Sequence, residues 1–282
     1  MDAVQLATFQ AVVEEGSFEA AARALHVTPS AVSQRIKALE QDVGQVLVRR
    51  AKPCTPTSAG ESLVRFAGQV ALLEQEALDA ARGAPASGGR TRISVVVNAD
   101  SLHTWFMPAL AGLPALTFDL HQDDQDYTAD LLRAGTAMAA VTAQHVAVQG
   151  CRVQRLGAMR YLAVAAPSLG FEDFATAPMI LLNRKDQLQH RFLASLTRRR
   201  LDPPIHYVPA AAAFVEAIRI GLGWALMPEQ IARDDIKAGR VTDLTPGRYL
   251  DVPLYWQYWR MKSTALTALT TAVKNAAAVA LR

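Results

Sequence analysis

Residues 18–25 and 29–40 read as two helices with only His26, Val27 and Thr28 between them. A connection that short forces the helices to cross steeply and to share one small core. Thr28 is a good N-cap, Pro29 fits the first helical position, where no amide donor is needed, and Val27 can pack on Val32 as a hydrophobic staple. At about 100° per residue, Val32, Ile36, Leu39 and Val43 form the buried stripe of the second helix. Ser30, Gln34, Lys37 and Gln41 lie on the opposite face, with Ser33 at its edge. Short, polar and partly basic, this face suits the reading of base edges in a major groove. Most amphipathic helices present such a face only to water, so its meaning depends on what surrounds it. Upstream, Leu6, Phe9, Val12 and Val13 share one face of a further helix that Gly16 ends.

The surroundings favour nucleic acid. Residues 47–50 and 54–57 read as two short strands enclosing Ala51, Lys52 and Pro53, a wing that places Arg49, Arg50 and Lys52 where cations can lie on phosphates. Solubilising charge is the competing explanation, and their clustering beside the turn argues against it. Ser58 with Glu61 reads as a capping box that starts a long helix. In it Leu63, Phe66, Val70, Leu73, Ala77 and Ala80 recur at alternating spacings of three and four, a seam for a partner helix and hence for a homodimer.

Gly, Pro and Ser interrupt the periodic sequence over residues 82–89, marking a linker. Beyond it, strand signals at 93–97, 116–120 and 138–142 alternate with helices at 101–110 and 127–134. A second set has strands at 162–166, 179–182 and 205–208 with helices at 186–196 and 211–220, and a strand at 252–260 and a helix at 264–281 complete the chain. Alternation of this kind means α/β architecture in two lobes. The whole is 282 residues, 51% hydrophobic and 20% charged, which calls for two or three folded units with real cores. Sixteen Gly, fourteen Pro and two Cys exclude collagenous or disulfide-stapled classes. Cys54 and Cys151 lack metal-ligand spacing and read as reduced thiols, and no stretch has the length or flanks of a signal or a membrane span. A cytoplasmic protein is expected. The net charge of +3 permits nucleic acid without demanding it.

Ligands of α/β sheets sit beyond the C-terminal strand ends. The first such strand runs into Asn98, Ala99, Asp100 and Ser101, with Ser101 near a helix N-terminus, where free amides and a hydroxyl can hold a carboxylate. An N-cap role alone explains Ser101 equally well. The second strand runs into Asp123, Asp124, Gln125 and Asp126, partners for a ligand cation if the run is more than a solvated loop. Thr142 ends the third strand as a polar lining residue; Trp105 is either core or a cover over the ligand. Such a cleft suits a small molecule carrying charges of both signs. Two lobes around a cleft also describe many enzymes, but the chain has no Walker loop, dinucleotide loop, Gly-x-Ser-x-Gly elbow or His-x-x-x-His pair.

Phe18, Ala21, Ala22 and Leu25, then Pro29-Ser30-Ala31-Val32-Ser33, Ile36, Leu39-Glu40, Thr57 and Ala59-Gly60 resemble the winged helix-turn-helix signature of LysR-type transcriptional regulators. Val48, where an aromatic residue is usual, and Pro56, at a position usually apolar, depart from it. The resemblance implies an all-α winged helix-turn-helix domain over 1–60, a dimerisation helix over 58–82 and a hinge over 83–90. It implies a two-lobed effector domain over 91–282, similar to periplasmic binding proteins, with lobes of 91–160 plus the helix near 264–282, and of 161–262. Its implied partners are an operator in double-stranded DNA, a second copy or a dimer of dimers, and RNA polymerase, with no cofactor beyond a small effector. Asn98 to Leu102, Thr104 to Phe106, the acidic group before Thr128, Gly150-Cys151, Gly221 to Trp224 and Pro228-Glu229 further resemble the LysG/ArgP-like branch, which controls export of basic amino acids. That likeness implies L-lysine, L-arginine or L-histidine as effector and an exporter gene as target. A regulator of a different effector, or an architectural or replication-origin DNA binder, are the alternatives; the last leaves the cleft unexplained.

Overall fold

A computed structural model describes residues 1–82, 91–123 and 128–282. Helix α1 (Ala3–Glu15) opens on a reciprocal cap between Asp2 and Gln5 and closes at Gly16, whose φ of 68° suits glycine. α2 (Phe18–Ala24) and α3 (Pro29–Val43) follow, and His26 takes a φ of 54° in the tight turn between them. Thr28 Oγ1 accepts from Ala31 N–H at 3.2 Å, so the expected cap is present. Val32, Ile36 and Leu39 are fully buried against Phe9, Val12 and Ala21. Val43 departs from the expected stripe and is exposed. The chain reverses at Gly44, and Leu47 returns to fill the core in its place, held by the Glu40 carboxylate, which accepts from the N–H groups of Leu47 and Val48.

Strands β1 (Val48–Arg49) and β2 (Thr55–Pro56) pair antiparallel as the wing, and Cys54 N–H donates to the Gly16 carbonyl at 2.7 Å. With only two strands, Pro56 sits on an edge, where a missing donor is tolerated. The long helix α4 (Ser58–Ala81) is capped by Thr57 and not by the expected Ser58–Glu61 box. Thr57 Oγ1 donates to the Val46 carbonyl and accepts from Gly60 N–H, so the hydroxyl that fixes the wing also starts the helix.

After the undescribed segment come β3 (Thr91–Val97), α5 (Ala99–Ser101), a π-helical turn (Leu102–Phe106), α6 (Met107–Ala111), β4 (Leu116–Gln122), α7 (Thr128–Arg133) and β5 (Ala139–Thr142). The single helix expected over 101–110 is thus three segments starting at Ala99. Next are β6 (Cys151–Ala165), β7 (Met179–Leu181), α8 (Leu188–Leu196), β8 (Ile205–Tyr207), α9 (Ala211–Arg219), β9 (Ala225–Pro228), α10 (Glu229–Lys237), β10 (Thr242–Asp243), β11 (Leu250–Trp259) and α11 (Thr264–Ala280). β3 pairs parallel with β4 and β5, β11 lies antiparallel to β5, and β6 is antiparallel to β11. The far end of β6 pairs with β9 and β10, so this strand carries the chain from one α/β half into the other. The strand expected at 162–166 omits the first eleven residues of β6, and β9, β10 and α10 were not expected. Among the described residues no helix is long and apolar enough to cross a membrane.

The helix-turn-helix unit is joined to the α/β region by one face of α4. Val64, Ala67, Gly68 and Leu72 are buried there. A Cβ on Gly68 would lie 2.7 Å from the Trp259 ring, and one on Gly135, whose φ is 76°, 2.7 Å from the Arg65 backbone nitrogen. Farther along, Glu76 Oε1 accepts from the hydroxyls of Ser263 and Thr264 and from Ala265 N–H, capping α11. Burial opposes ionisation of Glu76, but these hydrogen bonds outweigh it and hold the carboxyl below its ordinary value. The expected seam lies on another face, where Phe66, Leu73, Ala77 and Ala80 are exposed and Leu63 and Val70 half-buried.

On helix propensity alone, Gly68→Ala would stabilise α4 by about 1 kcal/mol. Because Trp259 is 1% exposed and cannot swing aside, the expected outcome is the reverse. A loss of about 1–3 kcal/mol, read as a lower thermal midpoint, is predicted.

Candidate effector cleft and nucleic-acid interface

The outward face of α3 is as the periodicity places it: Ser30, Gln34 and Lys37 are exposed and Ser33 is half-buried at the edge. The Ser30 hydroxyl lies 2.9 Å from that of Thr28, at the helix start. Arg49, Arg50 and Lys52 project from the wing into solvent, and the Arg50 guanidinium sits 4.8 Å from the centre of the Phe18 ring at the start of α2. A polar, partly basic helix face flanked by exposed cations divides the chemistry into side chains able to read bases and side chains able to hold phosphates.

A cleft of about 150 Å³ opens between the α/β halves, beyond the C-terminal ends of β3 and β4. From one half it is walled by Asn98, Ala99, Asp100, Gln122 and Asp123. The other half supplies Leu182, Asn183, Asp186, Leu188, Gln189, Pro209, Ala211, Phe214 and Leu226. Every ionisable side chain among these described lining residues is an aspartate. Asp100 Oδ2 accepts from the Tyr161 hydroxyl at 2.7 Å. Asp186 accepts from the N–H groups of Leu182 and Leu188, which fixes the loop between β7 and α8.

Two buried acceptors belong to lining residues on opposite walls of the cleft. Asn98 is 3% exposed, makes no cap hydrogen bond, and its Oδ1 has no partner among the described residues. Gln189 is 1% exposed; its Nε2 donates to the Ile180 carbonyl at 2.9 Å, which fixes the amide orientation and leaves Oε1 without a donor among the described residues. A buried acceptor left unpaired is costly, so each is a place for a ligand N–H.

Of the residues read from sequence, Asn98 and Asp123 line the cleft, while Asp124 lies outside the described residues. Ser101 is fully buried one residue behind the wall. It is not the N-cap, a position held by Asn98, and its hydroxyl has no partner among the described residues. Thr142 is buried at the end of β5 and accepts from Gln144 N–H, and Trp105 packs edge-on against Phe106 in the core. Asp100, Asn183, Asp186 and Gln189 were missed. The last three follow β7 in a stretch that reads as an ordinary polar helix start; the signal that could have found them is their place at a strand's C-terminal end.

Residues 4–61 match the model of the bacterial regulatory helix-turn-helix proteins of the lysR family, and residues 86–278 match the LysR substrate binding domain. The chain belongs to the LysR family. The HTH-type transcriptional regulator LysG of Mycobacterium tuberculosis is 50% identical over 289 residues, covering 98% of this chain and 94% of that one. The lysine export transcriptional regulatory protein LysG of Corynebacterium glutamicum is 43% identical with full coverage of both chains. A solved structure of full-length LysG from Corynebacterium glutamicum with bound effector Arg superposes with a TM-score of 0.81 at 42% identity, covering all of both chains.

In a LysR-family reading head of this geometry, Gln34→Ala and Arg49→Ala are expected to fail differently. Loss of Gln34 lowers preference for the operator by about 1–3 kcal/mol while sparing general DNA affinity. Loss of Arg49 weakens binding to every sequence and flattens its salt dependence. Anisotropy titrations on operator and scrambled DNA at several salt concentrations separate the two; equal losses on both DNAs would contradict the division of roles.

Proposed function

We propose that this chain is a transcriptional regulator that senses a basic amino acid, L-lysine or L-arginine with L-histidine as a third candidate, and controls an amino acid exporter gene. The observation that carries this reading is the charge of the cleft: Asp100, Asp123 and Asp186 line it and no lysine or arginine does, among the described residues. A cationic side chain gains there and an acidic one is repelled. The acceptors of Asn98 and Gln189, without partners among the described residues, suit ammonium or guanidinium N–H groups, whereas Ser101, expected from sequence as the α-carboxylate anchor, is fully buried and outside the cleft lining. The arginine bound to the Corynebacterium glutamicum relative supports the same class of ligand.

The exposed stripe of Phe66, Leu73, Ala77 and Ala80 supports association of two copies through α4. A homodimer, or a dimer of dimers, then sets two reading heads on a double-stranded operator, and contact with RNA polymerase is the further step by which transcription responds.

The test is Asp123→Asn, which keeps the size of the side chain and removes its charge. Calorimetry is expected to give about tenfold weaker binding of L-lysine and L-arginine, since a charged hydrogen bond contributes about 1.5–3 kcal/mol. A neutral amino acid should be unaffected. Unchanged affinity for both basic amino acids in a folded variant would return Asp123 to the role of a solvated loop residue.

A further inference from the structure

Val64 of α4 is buried in the core of the helix-turn-helix unit, and Leu72, about two turns on, in the core of the α/β region. Arg65 therefore sits where the helix passes from one body to the other, and two loops of the α/β region close on it. From the turn between α7 and β5, Gly135 approaches so closely that a Cβ there would lie 2.7 Å from the Arg65 backbone nitrogen and 3.1 Å from Val64 Cγ1. From the loop between β5 and β6, the Gln149 carbonyl accepts from Arg65 Nη1, and a Cβ on Gly150 would lie 2.9 Å from the same nitrogen.

Both loops are braced. Met138 N–H donates to the Ser94 carbonyl at 2.8 Å and Thr136 N–H to the Leu131 carbonyl at 3.0 Å, which ties the first to β3 and α7. Gln257, a fully buried side chain of β11, holds the second. Its Oε1 accepts from Val148 N–H at 2.9 Å, and its Nε2 donates to the carbonyls of Gln144 and Val146. With three hydrogen bonds from one buried amide the loop has a defined position, and so has the carbonyl it offers to Arg65. On the wing side, by contrast, a crevice of about 620 Å³ lies between Arg49 and Pro53 on one wall and Ala134 and Thr136 on the other, room in which the helix-turn-helix unit can tilt.

We propose that Arg65 is a positioning residue for DNA recognition: gripped between the two loops, it sets the tilt of the reading head on the effector domain, and thereby the half-site spacing that a dimer accepts. The inference rests on the reading of the chain as a dimer on an operator. Spacing is a demanding variable, because one base pair inserted between half-sites moves them apart by about 3.4 Å and turns one relative to the other by about 34°. A head free to tilt follows part of that change; one held by its helix does not. The contact of Gly135 with the Arg65 backbone resists displacement of α4. The guanidinium contact resists rolling of the helix about its axis, since it acts at the end of a long side chain, where its leverage is greatest.

The test uses full-length protein and an operator selected by the wild type from a randomised DNA library, remade with one base pair inserted or removed between its half-sites. Anisotropy gives the affinities of the wild type, Arg65→Met, Arg65→Lys and Gly150→Ala, with a thermal melt on each to check folding. The wild type is expected to bind the respaced DNAs about tenfold more weakly than the operator. Arg65→Met should narrow that ratio to about threefold, with the salt dependence of binding unchanged, while Arg65→Lys, which still donates, keeps most of it. Gly150→Ala costs some stability at a φ of 80°, but it crowds the guanidinium from the loop side and leaves α4 intact. It should narrow the ratio as Arg65→Met does, and it carries the test alone if Arg65→Met fails to fold. An undiminished ratio in the folded variants would overturn the proposal. So would equal weakening on all DNAs with a flattened salt dependence, which would make Arg65 a phosphate contact. A wild type indifferent to spacing, or bound to the operator as a monomer, would remove the dimer reading and this proposal with it, a result visible without any variant.

Discussion

The close approach of α4 to the α/β region is the contact on which the rest of the molecule depends. A helix can lie against the fully buried Trp259 only if it offers no side chain at the point of contact, and Gly68 provides that gap. Gly135 does the same from the other side, where a Cβ would meet the backbone of Arg65. Glu76 then ties the helix to the start of α11 with three accepted hydrogen bonds. Close packing of this kind transmits displacement because it cannot be compressed. A helix fixed in this way carries the reading head at one end and leaves a second apolar face available for a partner.

What was legible in the sequence follows from how local the determining physics is. The helix-turn-helix is specified by an N-cap, a proline at the first helical position and a stripe of apolar residues, all within about a dozen residues of one another, and the structure departs from that reading only at Val43. There the reversal at Gly44 and the Glu40 carboxylate decide the outcome by bringing Leu47 back into the core, a tertiary effect that helical periodicity does not contain. The start of α4 was displaced by one residue for a related reason: Thr57 is committed to the wing through Val46 before it caps the helix. β6 was half missed because its first residues, rich in arginine, carry no run of apolar side chains, and their strand identity comes from pairing with β11.

The cleft was legible only in part, because it is assembled from two halves far apart in the chain. One wall follows a strand with a recognisable acidic ending, which made Asn98 and Asp123 visible in sequence. The opposite wall follows β7, where Asn183, Asp186 and Gln189 look like ordinary capping and helix-surface residues until the fold sets them across from Asp100 and Asp123. Trp105 is close in sequence to the wall yet packs in the core, a distinction that needs side-chain direction and not spacing, while Thr142 is buried at the end of β5 and is not among the described lining residues. The result is a helix-turn-helix unit with polar and basic surface side chains, held by α4 against an α/β region whose acidic cleft opens beyond the C-terminal ends of β3 and β4.

The most direct measurement of that coupling is the affinity of the full-length protein for its operator, followed by fluorescence anisotropy while L-arginine or L-lysine is titrated in and L-norleucine serves as the neutral control. The account predicts that either basic amino acid changes operator affinity, with a midpoint that matches its calorimetric Kd, and that L-norleucine leaves it unchanged. Operator affinity indifferent to all three, or shifted equally by the neutral analogue, would contradict it.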